Sequence, residues 1–383
     1  MSTTVTLPGG ERYTLRGGTG FAPPPGPARS RVAYAAVHVV ADPAAENVPG
    51  APAALDWDAT LAFRHHLWRL GLGVAEAMDT AQRGMGLDWG ATRELIRRSA
   101  ADARTVGGRI VAGVGTDHLL PGEVTLAKVR DAYTYQLAVV VDAGARPVIM
   151  CSRHLARVAR SAEDYLSVYC GLLDQSPRPV VLHWLGPMFD PQLAGYWGSS
   201  DVDIAADTVL TLIKERPSTV DGIKVSLLDE EFEVALRRRL PDRVRLYTGD
   251  DFNYPQLIRG DGYGHSDALL GIFAAIAPAA AAALHALDLG DIEEYDRILA
   301  PTVPLSRHIF GEPTFYYKTG IVFLAWLTGH QDHFTMVGGL QVGRSPGHLA
   351  TLLRLADAAG LLPDAELAAA RARAYFTVAG VAQ

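Results

Sequence analysis

Cysteine is nearly missing from this sequence: Cys151 and Cys170 are the only two in 383 residues. Two thiols cannot build a disulfide framework or a four-thiolate metal site. Met1 to Gly10 also lacks the apolar core of a secretory signal, so a reducing cytoplasm is the expected setting. Positive charge is short as well. The net charge is −7 and the single basic run, Arg237-Arg-Arg239, reads as the end of a solvated helix, so no nucleic-acid partner is expected. No apolar run reads as a membrane span: Ala268 to Leu284 is uncharged, but it is alanine-rich and broken by Pro278, which suits a buried strand followed by a packed helix. A Gly-x-Gly-x-x-Gly turn after the first apolar run is absent, which disfavours a doubly wound open sheet. His-x-His and His-Glu-x-x-His spacings are absent too, which removes the local signatures of a metal site.

What the sequence does have is a rhythm. Hydrophobic residues at 49% and charged residues at 20% suit a globular chain with a large core. Two short alternating segments around Gly9-Gly10 read as a hairpin, and Phe21-Ala-Pro-Pro-Pro-Gly-Pro-Ala28 as a stiff linker, together residues 1–30. From Arg31 onward, apolar runs alternate with helix-length segments. The runs are Val32 to Val40, Gly73 to Ala77, Arg109 to Gly113, Pro147 to Cys151, Pro179 to Trp184, Val220 to Val225, Val244 to Tyr247 and Ala268 to Phe273. Strands alternating with covering helices imply a parallel sheet, and eight units within about 250 residues fit a closed (β/α)8 barrel over 31–288. Residues 289–383 read as a helical extension packed on that barrel.

One run holds an unusual residue. In Val220-Asp-Gly-Ile-Lys-Val-Ser226, strand alternation puts Val220, Gly222 and Lys224 on one face and Ile223 and Val225 on the other. With helices outside, Lys224 points inward, and Gly222 is expected to leave room beside its amine. A poorly hydrated amine favours its neutral form and becomes a nucleophile toward carbonyl carbon. The plain alternative is a lysine snorkelling to solvent from a strand end. Reacting groups of such barrels gather at the C-terminal ends of strands. Those ends here carry Glu76, Asp79-Thr80, Gly115-Thr-Asp-His118, Ser152-Arg-His154, His183, Lys224, Gly249-Asp-Asp251 and His265-Ser-Asp267. Taken singly, the acids read as helix caps and the histidines as hydrogen-bonded structural residues.

In order and spacing, Ala112-Gly-Val-Gly-Thr-Asp117, Gly222-Ile-Lys-Val-Ser226, Gly249-Asp-Asp251 and Gly262-Tyr-Gly264 resemble the dihydrodipicolinate synthase and N-acetylneuraminate lyase family of class I aldolases. Asp56-Trp-Asp58, Pro179-Val-Val-Leu-His-Trp-Leu-Gly-Pro187 and Tyr317-Lys-Thr-Gly320 add to the likeness, which runs from about Arg31 to Gly360. The resemblance implies a (β/α)8 barrel with a C-terminal helical region, a Schiff base on Lys224 with no other cofactor, and a homodimer or homotetramer. Where the family has a Tyr-Asn pair on the fifth strand this chain has His183-Trp184, so His183 becomes the expected general acid/base. Where pyruvate-using members have a Gly-Thr-Thr-Gly-Glu loop this chain has Ala77-Met-Asp-Thr-Ala-Gln82, and the arginine that the synthases place after the fifth strand is lacking.

The expected activity is therefore a Schiff-base lyase or aldolase on a small polyhydroxylated carbonyl compound, a keto sugar or 2-oxo sugar acid, by retro-aldol cleavage, condensation or dehydration. Asp79, Thr80, His154, Asp250, Asp251, His265 and Ser266 are the candidate substrate-positioning groups. Two rivals stand beside it. One is a sugar isomerase or hydrolase that holds a divalent metal with His118, His154 and His183, joined by an acid such as Asp250; the other is a sugar-binding barrel without turnover.

Overall fold

An antiparallel hairpin, β1 (Thr4–Thr6) with β2 (Arg12–Thr14), precedes eight parallel strands that close into a barrel. The barrel strands are β3 (Ala33–Ala36), β4 (Gly73–Glu76), β5 (Ile110–Val114), β6 (Arg146–Ile149), β7 (Val180–Leu185), β8 (Val220–Ser226), β9 (Arg245–Thr248) and β10 (Asp267–Leu270). Each pairs with the next in sequence, and β10 returns to β3. These observations come from a computed structural model that describes residues 2–18, 20–119, 122 and 124–383. The (β/α)8 barrel, the hairpin and the C-terminal helices expected from the sequence are all present.

Alternation along the strands produces two apolar layers. Ile223 and Val225 of β8 face outward with Val114, Ile149 and Leu182, where Leu95, Ile96, Val140, Leu172, Val209 and Ile213 of the covering helices close over them. Inside the barrel, Tyr34, Ala75, Val111, Val148, Val181, Tyr247 and Leu269 fill the space. Side-chain oxygens of Asp56, Asp88, Thr125, Asp201 and Asp229 cap the covering helices, each contributing about 1 kcal/mol. Strict alternation fails at one point. Val180 pairs with Val220 and Val181 with Gly222, so Asp221 is an extra residue in β8. This bulge turns Val220 into the outer layer, away from the face of Lys224 that simple alternation assigns to it.

After β10 the chain is helical, with Ala277–Asp288, Ile292–Leu299, Thr302–Ile309, Tyr317–Leu327, Pro346–Ala358 and Ala365–Val378. The apolar pattern announces all of these except Thr302–Ile309, which Pro301 and Pro304 obscure. Tyr317–Leu327 is buried at every position and forms the axis of the extension. The N-terminal hairpin rests on this extension. Tyr13 donates to Asp357 at 2.7 Å and Arg373 to the carbonyl of Thr4 at 2.9 Å. Among the described residues, no helix is long and apolar enough to cross a membrane.

Glu76, one of the polar strand ends, is closed off. Its carboxylate takes two hydrogen bonds of 2.9 Å from Arg64, and both side chains are wholly buried. Arg64 also donates to the carbonyls of His38 at 2.6 Å and Thr60 at 3.0 Å, tying the first barrel helix to the ends of β3 and β4. Removing one partner leaves a buried charge uncompensated, so Glu76→Ala is expected to lower unfolding stability by about 3–5 kcal/mol. Urea denaturation checks this, and a loss below about 1 kcal/mol would place the pair among the weakly contributing ones.

Candidate active site

Lysine is scarce in this chain: Lys128, Lys214, Lys224 and Lys318 are all there are. Two of the four are buried at one place. Lys224 stands at the fifth position of β8, in register with His183 on β7 and Tyr247 on β9, and is 8% exposed. Among the described residues its amine has no ion pair and no hydrogen-bonding partner. Burial pushes its pKa down to about 8, against the pull of Asp251 and Asp79.

The glycine that makes room for this amine is Gly249, not Gly222. A Cβ on Gly249 would lie 2.7 Å from Lys224 Cε and still closer to Ser226 Oγ. A Cβ on Gly222 would meet the ring of Tyr247 at 2.7 Å, so that glycine admits the barrel's inner packing instead. Two non-glycine residues adopt left-handed backbone just past the strands of the site. They are Ala77 after β4, φ 51°, and Leu228 after β8, φ 56°, a local strain that recurs at functional sites.

Lys224 opens into a narrow cleft at the mouth of the barrel. Met78, Asp79 and Thr80 form one wall, His183, Leu185 and Ser226 another, and Asp251, Phe189 and Tyr317 complete it. His183 Nε2 lies 3.3 Å from Ser226 Oγ, and its buried Nδ1 has no partner. Burial, then the charge of Lys224, hold the imidazole well below its ordinary range, so it is neutral at physiological pH. Asp251 accepts the amide of Ile272 at 2.8 Å, and burial raises its pKa while Lys224 pulls it back.

The remaining candidates divide. Thr80 shares a 2.7 Å hydrogen bond with Tyr317, and Asp79 is ion-paired to Lys318 at 3.2 Å with its other oxygen buried and unpartnered. Asp250 is turned away from the cleft. Its carboxylate accepts the amides of Phe252 at 2.8 Å and Asn253 at 2.9 Å, which shapes the loop that presents Asp251. His154 is hydrogen-bonded to Thr116 at 2.9 Å and does not line the cleft. His265 and Ser266 precede β10 and so stand at its opposite end; Ser266 is bound to Glu233 at 2.7 Å and to Arg237 at 3.2 Å. The three histidines of the metal reading have separate partners, since His118 is bound to Gln136 at 2.8 Å. Among the described residues no group of three or more His, Cys, Asp or Glu is arranged to hold a metal.

Sequence reasoning missed Ser226, Phe189 and Tyr317. Ser226 had a signal, because it lies two residues beyond Lys224 on the same strand face. Tyr317 had only its place in Tyr317-Lys-Thr-Gly320, with nothing local to aim it at a barrel strand nearly a hundred residues earlier in the chain.

The fold is a closed (β/α)8 barrel with a helical extension, similar to that of dihydrodipicolinate synthases, and it holds one buried amine without an ionic partner. The chain belongs to the family described as a protein of unknown function, DUF993, whose profile matches residues 7–381. Dihydrodipicolinate synthase from Aquifex aeolicus shares the fold with a TM-score of 0.65 at 13% identity, covering 87% of this chain and 99% of that one. The 4-hydroxy-tetrahydrodipicolinate synthase of Methylacidiphilum fumariolicum SolV superposes with a TM-score of 0.64 at 16% identity, over 88% and 98% of the two chains. A putative dihydrodipicolinate synthetase from Pseudomonas aeruginosa gives 0.62 at 16%, over 86% and 99%. No curated protein matches the chain in sequence. The family resemblance read from the sequence is thus upheld in the fold.

A lowered pKa means that more of the amine is neutral at any given pH. The rate at which Lys224 reacts with a small amine-directed reagent should rise about tenfold per pH unit and level off above about 8. Peptide mass mapping with the exposed Lys214 as reference measures it, and a profile climbing on to about pH 10, the ordinary lysine range, would contradict the burial of the amine.

Proposed function

We propose that this chain is a Schiff-base lyase or aldolase for a small, uncharged, hydroxylated ketone, with Lys224 as its amine. The observation that carries the reading is that amine: buried, without an ionic partner, partly neutral at physiological pH and facing a cleft lined by polar side chains. The amine adds to the carbonyl carbon, the oxygen leaves as water, and the iminium draws electrons from the neighbouring carbon. A proton or a carbon–carbon bond at that carbon can then be released into the enamine.

The charges favour an uncharged ketone over a 2-oxo acid. Among the described residues no arginine lines the cleft, Lys318 is engaged by Asp79, and Lys224 itself is taken up in the imine. A substrate carboxylate would meet Asp79 and Asp251 without a free cation to receive it. Hydroxyl groups suit the same carboxylates, which accept hydrogen bonds. Asp79, Thr80 and Asp251 are the positioning groups in this proposal. His183, neutral and in register with Lys224, faces the bound substrate from the β7 side and hydrogen-bonds to it in this proposal. The homodimer or homotetramer implied by the resemblance belongs to the same proposal, and light scattering of the purified protein checks it; a monomer would separate this chain from that expectation.

Borohydride reduction with dihydroxyacetone or pyruvate, followed by peptide mass mapping, tests the reading. Dihydroxyacetone should leave a reduced adduct on Lys224 and pyruvate little or none, and Lys224→Ala should abolish the adduct. His183→Phe should retain part of the adduct while slowing turnover. A ketone that is turned over with no adduct on Lys224 would sink the proposal.

A further inference from the structure

Iminium chemistry needs a group that first gives up a proton and then takes one back, and His183, neutral in the resting protein, could give its ring N–H proton only by becoming an imidazolate, a far weaker acid than a phenol. The opposite wall of the cleft carries a different pair. Tyr317 begins the buried helix Tyr317–Leu327, lines the cleft with its side chain 3% exposed, and shares a 2.7 Å hydrogen bond with Thr80. Its ring packs against two others that also touch each other. Phe310 stacks on it with centroids 4.3 Å apart at 15°, and Phe189 meets it edge-on at 6.2 Å. The next residue, Lys318, anchors the helix start through Asp79 at 3.2 Å and the carbonyl of Phe315 at 3.0 Å. Such a phenol is fixed in position without being fully enclosed.

We propose that Tyr317 is the catalytic proton carrier of this site and Thr80 its positioning partner, so that the helical extension supplies half of the active site. The inference rests on the Schiff-base reading of Lys224. Burial, and then the Asp79 charge, hold the phenol well above its ordinary range, so in the free enzyme Tyr317 keeps its proton and acts first as an acid. The steps balance. Lys224 Nζ bonds to the carbonyl carbon as the carbonyl π bond breaks, and the surplus proton on nitrogen passes to the oxygen, giving a carbinolamine. Tyr317 then protonates the carbinolamine hydroxyl, which leaves as water, so an iminium and a phenolate are formed together. Their mutual attraction stabilises the phenolate at this stage alone. The phenolate takes the proton from the adjacent carbon, or from the hydroxyl one carbon further in a retro-aldol cleavage. The electron pair so freed moves into the iminium, leaving a neutral enamine and a neutral tyrosine.

The test follows two readouts with dihydroxyacetone in deuterium oxide on the full-length protein. One is the borohydride-trapped adduct on Lys224, and the other is exchange of the ketone's carbon-bound hydrogen seen by NMR. Tyr317→Phe keeps the ring stacking, so it should still accumulate the adduct, though more slowly, while exchange falls by about 100-fold or more, the usual scale of acid–base catalysis. Thr80→Ser should preserve most of the exchange and Thr80→Val should lose at least about tenfold, since only the hydroxyl matters for aiming the phenol. Exchange in Tyr317→Phe within about threefold of the unaltered protein, with the adduct still formed, would overturn the relay alone. So would loss of exchange in His183→Phe with exchange kept in Tyr317→Phe, which would hand the proton to His183. No adduct on Lys224 in the unaltered protein would remove the Schiff base and the relay together.

Discussion

An amine withdrawn from water and given no ionic partner is the constraint around which the rest of this molecule is arranged. An isolated ammonium in an apolar interior is costly, and the outcome is a shifted pKa, not a stored charge. Holding Lys224 in that condition requires a rigid strand on either side, supplied by His183 on β7 and Tyr247 on β9 in register with it. It also requires space, which Gly249 provides by leaving no Cβ against Lys224 Cε. The acids nearby act on the amine through their field without touching it: Asp251 is hydrogen-bonded to the amide of Ile272, and Asp79 is paired with Lys318. If either acid paired directly with Lys224, the amine would be held charged and its nucleophilicity lost.

The helical extension is part of this arrangement. Tyr317–Leu327 is buried along its whole length, as a central core helix is, and its first turn reaches the mouth of the barrel. Phe310, just past the preceding helix, and Phe189, from the loop after β7, pack with the ring of Tyr317 there. Lys318 settles the charge of Asp79 from the same turn, leaving one oxygen of that carboxylate buried and unpartnered at the cleft wall. The shape and charge of the cleft on that side are thereby tied to the packing of helices outside the barrel.

Much of the fold was legible in the sequence because alternation is a local property. Eight apolar runs with helix-length segments between them marked eight strands, and the pattern around Lys224 correctly sent Ile223 and Val225 outward and the amine inward. Where one extra residue enters, the pattern breaks: the bulge at Asp221 moves Val220 to the outer layer, and nothing in the residue types announces it. Residues one position apart were also hard to separate. Asp250 and Asp251 look alike in sequence, yet one caps its own loop and the other lines the cleft. His265 and Ser266 lie close to a strand, but at the end away from the site, because the strand begins after them.

By itself the sequence determined the closed parallel barrel, the inward lysine on its sixth strand and the histidine on the strand beside it. These depend on period-two patterning and on the succession of strands, both of which are written along the chain. Only the tertiary structure decided which glycine clears the amine, which acid faces it and that a tyrosine from the extension stands across from it. Those choices depend on strand register, a bulge and the docking of a distant helix, where a shift of one residue exchanges a cleft-facing side chain for a buried cap.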